Sequence, residues 1–219
     1  MTHTPGLVEY LDVFDEVENH TGSLPRDEVH ERGLWHRVFH CLIVTERDGV
    51  PTAVLQQRSE LKAAFPGLLD ISSAGHLAAG ETPLDGLREL EEELGVRVEP
   101  AELHELGVRR LVGNNGEGRL NRELVHVFLL RDDRPLDQYS LGPDEVDVVY
   151  DVPIHGVLEL LHGQLDELVI AGVAGAGSQT AEPTSRPITK DDLVPSDGYW
   201  TVVLVMAERF LAGNRAIAI

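Results

Sequence analysis

Residues 75–96 read GHLAAGETPLDGLRELEEELGV, and the second half of that stretch carries two patterns at once. Glu89, Glu92 and Glu93 stand at i, i+3 and i+4, the spacing that gathers side chains on one face of a helix. Leu87, Leu90 and Leu94, at i, i+3 and i+7, fall on the other face, as in a half-buried helix. Three like charges this close repel one another. A solvated acidic face is one reading of such a cluster. The other is a site for a hard divalent cation such as Mg2+, which takes a few carboxylate oxygens together with waters and phosphate oxygens. Arg88 precedes Glu92 by four residues and can hold its carboxylate in place.

Working outward, the helix is preceded by strands. WHRVFHCLIVT (residues 35–45) predicts a buried strand, and residues 52–57 a second, joined by a turn at Asp48-Gly49. Residues 9–14 alternate weakly as an edge strand, followed by a polar turn through Asn19, Gly22 and Pro25. Pro66-Gly67 marks a turn, and residues 71–77 lead into the glutamate helix. Strands are predicted again over 105–112 and 123–130, with a loop over 114–118 between them. A helix begun by proline covers 153–161, and a last helix, apolar around most of its circumference, covers 199–211. Residues 171–187 are rich in Gly, Ala, Ser, Thr and Pro and suggest a mobile linker or lid. The expected division is an N-terminal strand and turn packing on the core (1–34), a catalytic domain (35–165) and a C-terminal extension (166–219). Strands and helices mixed in this order suit an α/β/α sandwich with a mixed β-sheet.

Composition narrows the partners. The 219 residues carry a net charge of −20, so the chain lacks the basic footprint that nucleic-acid polymers or anionic membrane surfaces require. Any anionic substrate must be met locally, by cations and a few placed basic residues. The single cysteine, Cys41, excludes an intramolecular disulfide and a cysteine-rich metal cluster. The start, MTHTPGLVEYLDVF, shows no basic n-region or apolar h-region, and no apolar run approaches membrane-spanning length, so a cytoplasmic protein is expected.

The stretch over 75–96 resembles the signature of the Nudix hydrolases, G-x5-E-x7-R-E-U-x-E-E-x-G-U, where U is aliphatic. Gly75 and Glu81 fit the first spacing, and residues 88–96, RELEEELGV, fit the second half position for position. Six residues, 82–87, separate Glu81 from Arg88 where the signature has seven. The missing residue falls at the loop-to-helix junction over 83–86, where the phase of the glutamates is kept. The resemblance implies the α/β/α sandwich, Mg2+ (with Mn2+ as an alternative) held by Glu89, Glu92 and Glu93 with the carbonyl near Gly75, and hydrolysis of a diphosphate linkage. The substrate class is a nucleoside diphosphate derivative or a small organic diphosphate. Glu123 is a candidate for completing the metal cluster or acting as base, since the family often recruits one carboxylate from outside the signature.

Ahead of the signature, QQRSELKAAFPGLLDISSAGH resembles the diphosphate-handling stretch of isopentenyl-diphosphate isomerase and the Nudix hydrolases closest to it. That likeness implies that Arg58 and Lys62 hold the diphosphate, which suits a forked guanidinium and a point-charge ammonium. It also implies a second metal site from His30, His36, His76 and Glu123, although Asn121 stands where the isomerase has a further glutamate. In a chain with ten histidines, structural roles for these three are the alternative. The isomerase places a cysteine directly before the glycine-histidine pair, where this chain has Ala74, and Cys41 does not align. Hydrolysis is therefore the expected activity. A non-catalytic diphosphate-binding or regulatory module and an isomerase-like enzyme are the alternatives. Selectivity falls to variable loops such as 114–118 and 171–187, and the apolar last helix leaves a homodimer open.

Overall fold

The computed structural model describes residues 8–114 and 120–219. In chain order the strands are β1 (Tyr10–Phe14), β2 (His20–Pro25), β3 (Trp35–Arg47), β4 (Val50–Arg58), β5 (Leu69–Asp70) and β6 (Ser73–His76). They continue as β7 (Leu103–Asn114), β8 (Leu120–Arg131), β9 (Val146–Pro153), β10 (Leu168–Ala174) and β11 (Glu182–Ile188). The helices are α1 (Arg26–Arg32), α2 (Leu87–Leu94), α3 (Ile154–Leu161) and α4 (Tyr199–Leu211).

β3 is the hub. Along one edge it pairs antiparallel with β1, β6 and β4 in turn; along the other it runs parallel to β8, which carries β7. The sheet is thus mixed, and from β4 it continues through β9 and β10 to β11. Alternation along β3 divides the core. Phe39, Cys41 and Ile43 face α2, packing with Leu90 and Leu94. Val38, Leu42 and Val44 face the opposite side, where Val157 of α3 and Val203, Leu204 and Ala207 of α4 cover them. This is the expected α/β/α arrangement. The Asp48-Gly49 turn has φ of 52° and 78°, the left-handed pair that a two-residue hairpin needs.

Three expectations change. Residues 171–187 do not form a linker: they lie largely in the β10–β11 hairpin, and β10 pairs with β9. At Gly172 close packing leaves no room for a side chain, for a Cβ there would stand 2.5 Å from Tyr150 Cδ1. The polar turn through Gly22 and Pro25 is strand β2. α1 was not expected; its one buried residue, Val29, packs with Leu11 and Val13. Apart from Asn114, the expected loop over 114–118 lies outside the described residues. Among the described residues, no helix is long and apolar enough to cross a membrane.

The short junction ahead of the glutamates has a structural counterpart. Pro83–Gly86 forms a 3₁₀ turn that runs directly into α2. A 3₁₀ turn rises about 2.0 Å per residue against about 1.5 Å in an α-helix, so it spans the same distance with fewer residues. Gly86 is required there because its backbone lies against Phe39, with only 2.5 Å available to a Cβ.

Candidate active site

α2 delivers its glutamates to the end of β6. Glu93 is 1% exposed, and its Oε2 accepts from Gln56 Nε2 (3.2 Å) and the Ala74 amide (3.0 Å). Burial pushes its carboxyl up to about 7, nearby Glu89 adds to the shift, and Lys62 opposes it. Glu89 is raised too, chiefly by burial. Its carboxylate lies against the backbone of Gly75, where a Cβ would stand 2.0 Å from Glu89 Cδ. Glu92 is open to solvent, 3.6 Å from Arg88 Nη1. Arg88 also donates to Glu81 Oε1 (3.1 Å), to Glu89 Oε1 (2.5 Å) and to the His76 carbonyl (2.8 Å), tying α2 to the preceding loop and to β6. Glu81 therefore keeps its contact with the helix despite the shortened junction. β1 steadies the same loop, through Ala79 N to Tyr10 O (2.8 Å) and Gly80 N to Asp12 Oδ2 (2.9 Å).

Both expected diphosphate-binding residues face this region, and both are held by carboxylates. Arg58, at the end of β4, donates to Asp70 Oδ2 (2.9 Å) and the Ala64 carbonyl (3.0 Å). Lys62 pairs with Glu145 and lies 3.8 Å from Glu93 Oε1. Glu145 escaped sequence reading because nothing in the turn before β9 marks it out.

A second cluster lies on the α4 side of β3. The β3–β6 register sets His76 opposite Val38, two residues along the same face of β3 from His36, so the two rings stack with centroids 5.1 Å apart, and His30 reaches them from α1. Their ligand atoms all lie within 4.8 Å of one another. His30 Nδ1, His36 Nε2 and His76 Nε2 are buried without a hydrogen-bond partner among the described residues. His36 Nδ1 contacts the Leu34 carbonyl at 2.9 Å, leaving Nε2 turned toward the cluster. Burial pushes His36 down to about 4 and drives His76 and His30 down as well, so all three rings are neutral at pH 7. Glu123, on β8 beside His36 in register, has Oε1 4.0 Å from His36 Nε2 and accepts from Asn121 Nδ2 at 2.7 Å. It belongs with the histidines; the carboxylate from outside the signature that approaches Glu93, through Lys62, is Glu145.

A cleft of about 1650 Å³ joins the two clusters. Arg58, Lys62, Gly75, Glu89, Glu92, His30, His76 and Glu123 line it, with Glu93 and His36 buried behind its wall. Ala74 lines the cleft where an isomerase-like cysteine would stand. Cys41 is fully buried on the opposite face, among Phe39, Ile43 and Leu94.

Comparison with known proteins agrees with this architecture. Residues 34–169 match the model of the NUDIX domain. Over 198 residues the chain is 36% identical to an uncharacterised Nudix hydrolase of Clostridium acetobutylicum, spanning 90% of this chain and 95% of that one. It is 34% identical over 134 residues to an isopentenyl-diphosphate Delta-isomerase of Pectobacterium atrosepticum, 60% of this chain and 69% of the isomerase. A crystal structure of a Deinococcus radiodurans protein shares the fold with a TM-score of 0.55 at 22% identity, covering 71% of this chain and 90% of that one. The chain belongs to the Nudix family, and its relatives include proteins named as isopentenyl-diphosphate isomerases.

Proposed function

We propose that this protein is a Mg2+-dependent hydrolase of a diphosphate linkage in a nucleoside diphosphate derivative or small organic diphosphate. The observation that carries the reading is Glu93: a buried carboxylate beside Glu89, facing Lys62 in a cleft that Arg58 also lines. Among the described residues that line the cleft, nine are carboxylates and four are lysine or arginine. Such a lining repels a diphosphate unless cations enter with it. The donor set suits Mg2+, with Mn2+ as the alternative: hard oxygens from Glu89, Glu92 and Glu93, and the carbonyl of Gly75, whose missing side chain leaves room for the Glu89 carboxylate. When bound, the cation neutralises diphosphate oxygens and acidifies the attacking water. Lys62 and Arg58 exchange Glu145 and Asp70 for the charge that develops on the departing phosphate. Glu145, freed from Lys62, is the residue that takes the proton of the attacking water.

The test is incubation with mixed nucleotide and prenyl diphosphates plus Mg2+, scored for products by mass. Cleaved products support hydrolysis. Intact ligand with a binding signal points instead to a regulatory module, and an isomer of unchanged mass to an isomerase.

The histidine cluster supports a second metal, of the transition series, held by His30, His36 and His76 with Glu123. Three neutral imidazoles with unpartnered nitrogens turned toward one another are the donor set such an ion takes. Stoichiometric Co2+ should produce a visible absorption band in the wild type and none in His36→Ala. An unchanged band in that variant would remove His36 from the site.

A further inference from the structure

Among the polar residues of the cleft outside the glutamate, diphosphate and histidine groups is His40. His40 lies on the same face of β3 as His36 and Val38, opposite Ala74 of β6. Its Nδ1 is 3.0 Å from the hydroxyl of Tyr199, the first residue of α4, and the rings meet edge to face with centroids 5.5 Å apart. Tyr199 is 3% exposed, and a buried hydroxyl needs an acceptor for its hydrogen. Among the described residues, His40 Nδ1 is the hydrogen-bond partner of that hydroxyl. Burial pushes His40 down to about 4 and holds Tyr199 well above its usual range, so at pH 7 the ring is neutral and the hydroxyl keeps its proton. A neutral imidazole accepting at Nδ1 carries its single N–H at Nε2. No described residue bonds that nitrogen.

The surroundings indicate what it meets. Both oxygens of nearby Asp70 are engaged, by Arg58 and by the Ile71 amide. Trp200, the next residue of α4, spends its indole N–H on the Val194 carbonyl. Val38, Leu111, Val194 and Trp200 give the same cleft an apolar part of its lining, while Asp70 and Arg58 are the charged groups that act on His40. A donor whose tautomer is fixed from behind, set beside apolar lining, is a means of reading one acceptor atom on a ligand.

We infer that His40, its tautomer set by Tyr199, is a specificity-determining donor selecting diphosphates whose organic group presents a hydrogen-bond acceptor, such as a nucleoside, over plain alkyl or prenyl diphosphates. This rests on the diphosphate reading of the same cleft. His40 touches the ligand; Tyr199 acts through His40 and is a positioning residue. Arg58 and Lys62 serve the diphosphate end and His40 the organic end, so one cleft separates affinity from selectivity.

Methylene-bridged diphosphonates, which cannot be cleaved, supply the test. Dissociation constants are measured in Mg2+ for adenosine, guanosine, cytidine and uridine analogues against hexyl and geranyl analogues. The wild type should favour the nucleoside series. In His40→Phe the ratio of nucleoside to alkyl affinity should fall roughly tenfold, the value of one neutral hydrogen bond in a desolvated site. His40→Gln, which keeps a donor at the end of its side chain, should restore part of that ratio. In Tyr199→Phe the two-bond 1H–15N spectrum of His40 should lose its pure Nε2–H pattern, and the ratio should fall with it. A wild type without preference, or a ratio unchanged in His40→Phe, overturns the inference, as does a Tyr199→Phe protein with unaltered tautomer and ratio. A wild type that shows the ratio yet leaves the parent diphosphates uncleaved defeats the hydrolase reading and leaves this one standing.

Discussion

Glu93→Gln is expected to lower Mg2+-dependent hydrolysis by a factor on the order of 10³ or more while leaving the fold intact. The side chain keeps its shape, and its remaining oxygen can still accept from Gln56 Nε2 and the Ala74 amide. What disappears is the negative charge, and with it an oxygen that the proposed function assigns to the metal. The same change should make the metal-free protein more stable at neutral pH. An ionised carboxylate held 1% exposed beside Glu89 is costly, as its rise to about 7 records, and an amide of the same size removes that cost. Lys62 retains Glu145 as its partner. A gain of about 1 kcal/mol in denaturant unfolding alongside lost turnover is therefore the expected pair of results. Glu92→Gln, at the exposed position of the cluster, should lose activity with no such gain. Near-normal turnover in either variant would sink the assignment of these carboxylates as metal ligands.

The parts of the molecule legible in the sequence are those where one local pattern determines one structure. WHRVFHCLIVT allows only a strand buried on both faces, and YWTVVLVMAERFL only a helix with little exposed surface, so β3 and α4 were foreseeable. β9 and the β10–β11 hairpin were not. Asp147 and Asp151 interrupt the apolar run of β9, while Gly172, Pro183 and Pro187 weaken the strand signal of the hairpin. These segments become strands because β4 offers β9 an edge to pair with, which is information held elsewhere in the chain. The site divides in the same way. The glutamates are neighbours on one helix, and their grouping follows from spacing alone. His30 and His76 are 46 positions apart, and only the β3–β6 register and the approach of α1 bring them together. His40 is four residues from His36 on the same strand face, yet its role depends on Tyr199, 159 residues away.

Gly75→Ala and Gly86→Ala are expected to fail in opposite ways, although both insert one methyl group beside the same helix. At Gly75 the added carbon would meet Glu89 Cδ at 2.0 Å and its two oxygens at 2.2 and 2.4 Å. The obstacle is the end of a flexible side chain bordering a cleft, so the protein yields by swinging that carboxylate aside. Stability should change by less than about 1 kcal/mol, while hydrolysis falls about 100-fold or more, because a catalytic group displaced by an ångström no longer meets its target. At Gly86 the added carbon would meet Phe39 Cβ and Cγ at 2.5 Å. Phe39 is fully buried and stacked on Phe128 with centroids 5.3 Å apart, so nothing there moves cheaply. Overpacking should cost about 1–3 kcal/mol, outweighing the better helix propensity of alanine. The folded fraction of that variant should retain hydrolysis, because the methyl lies on the core side of the helix start, away from the glutamates. Activity normalised to folded protein and unfolding midpoints, measured on both variants, separate the two outcomes. A Gly75→Ala enzyme with full turnover would mean that the Glu89 carboxylate is free to sit elsewhere during catalysis.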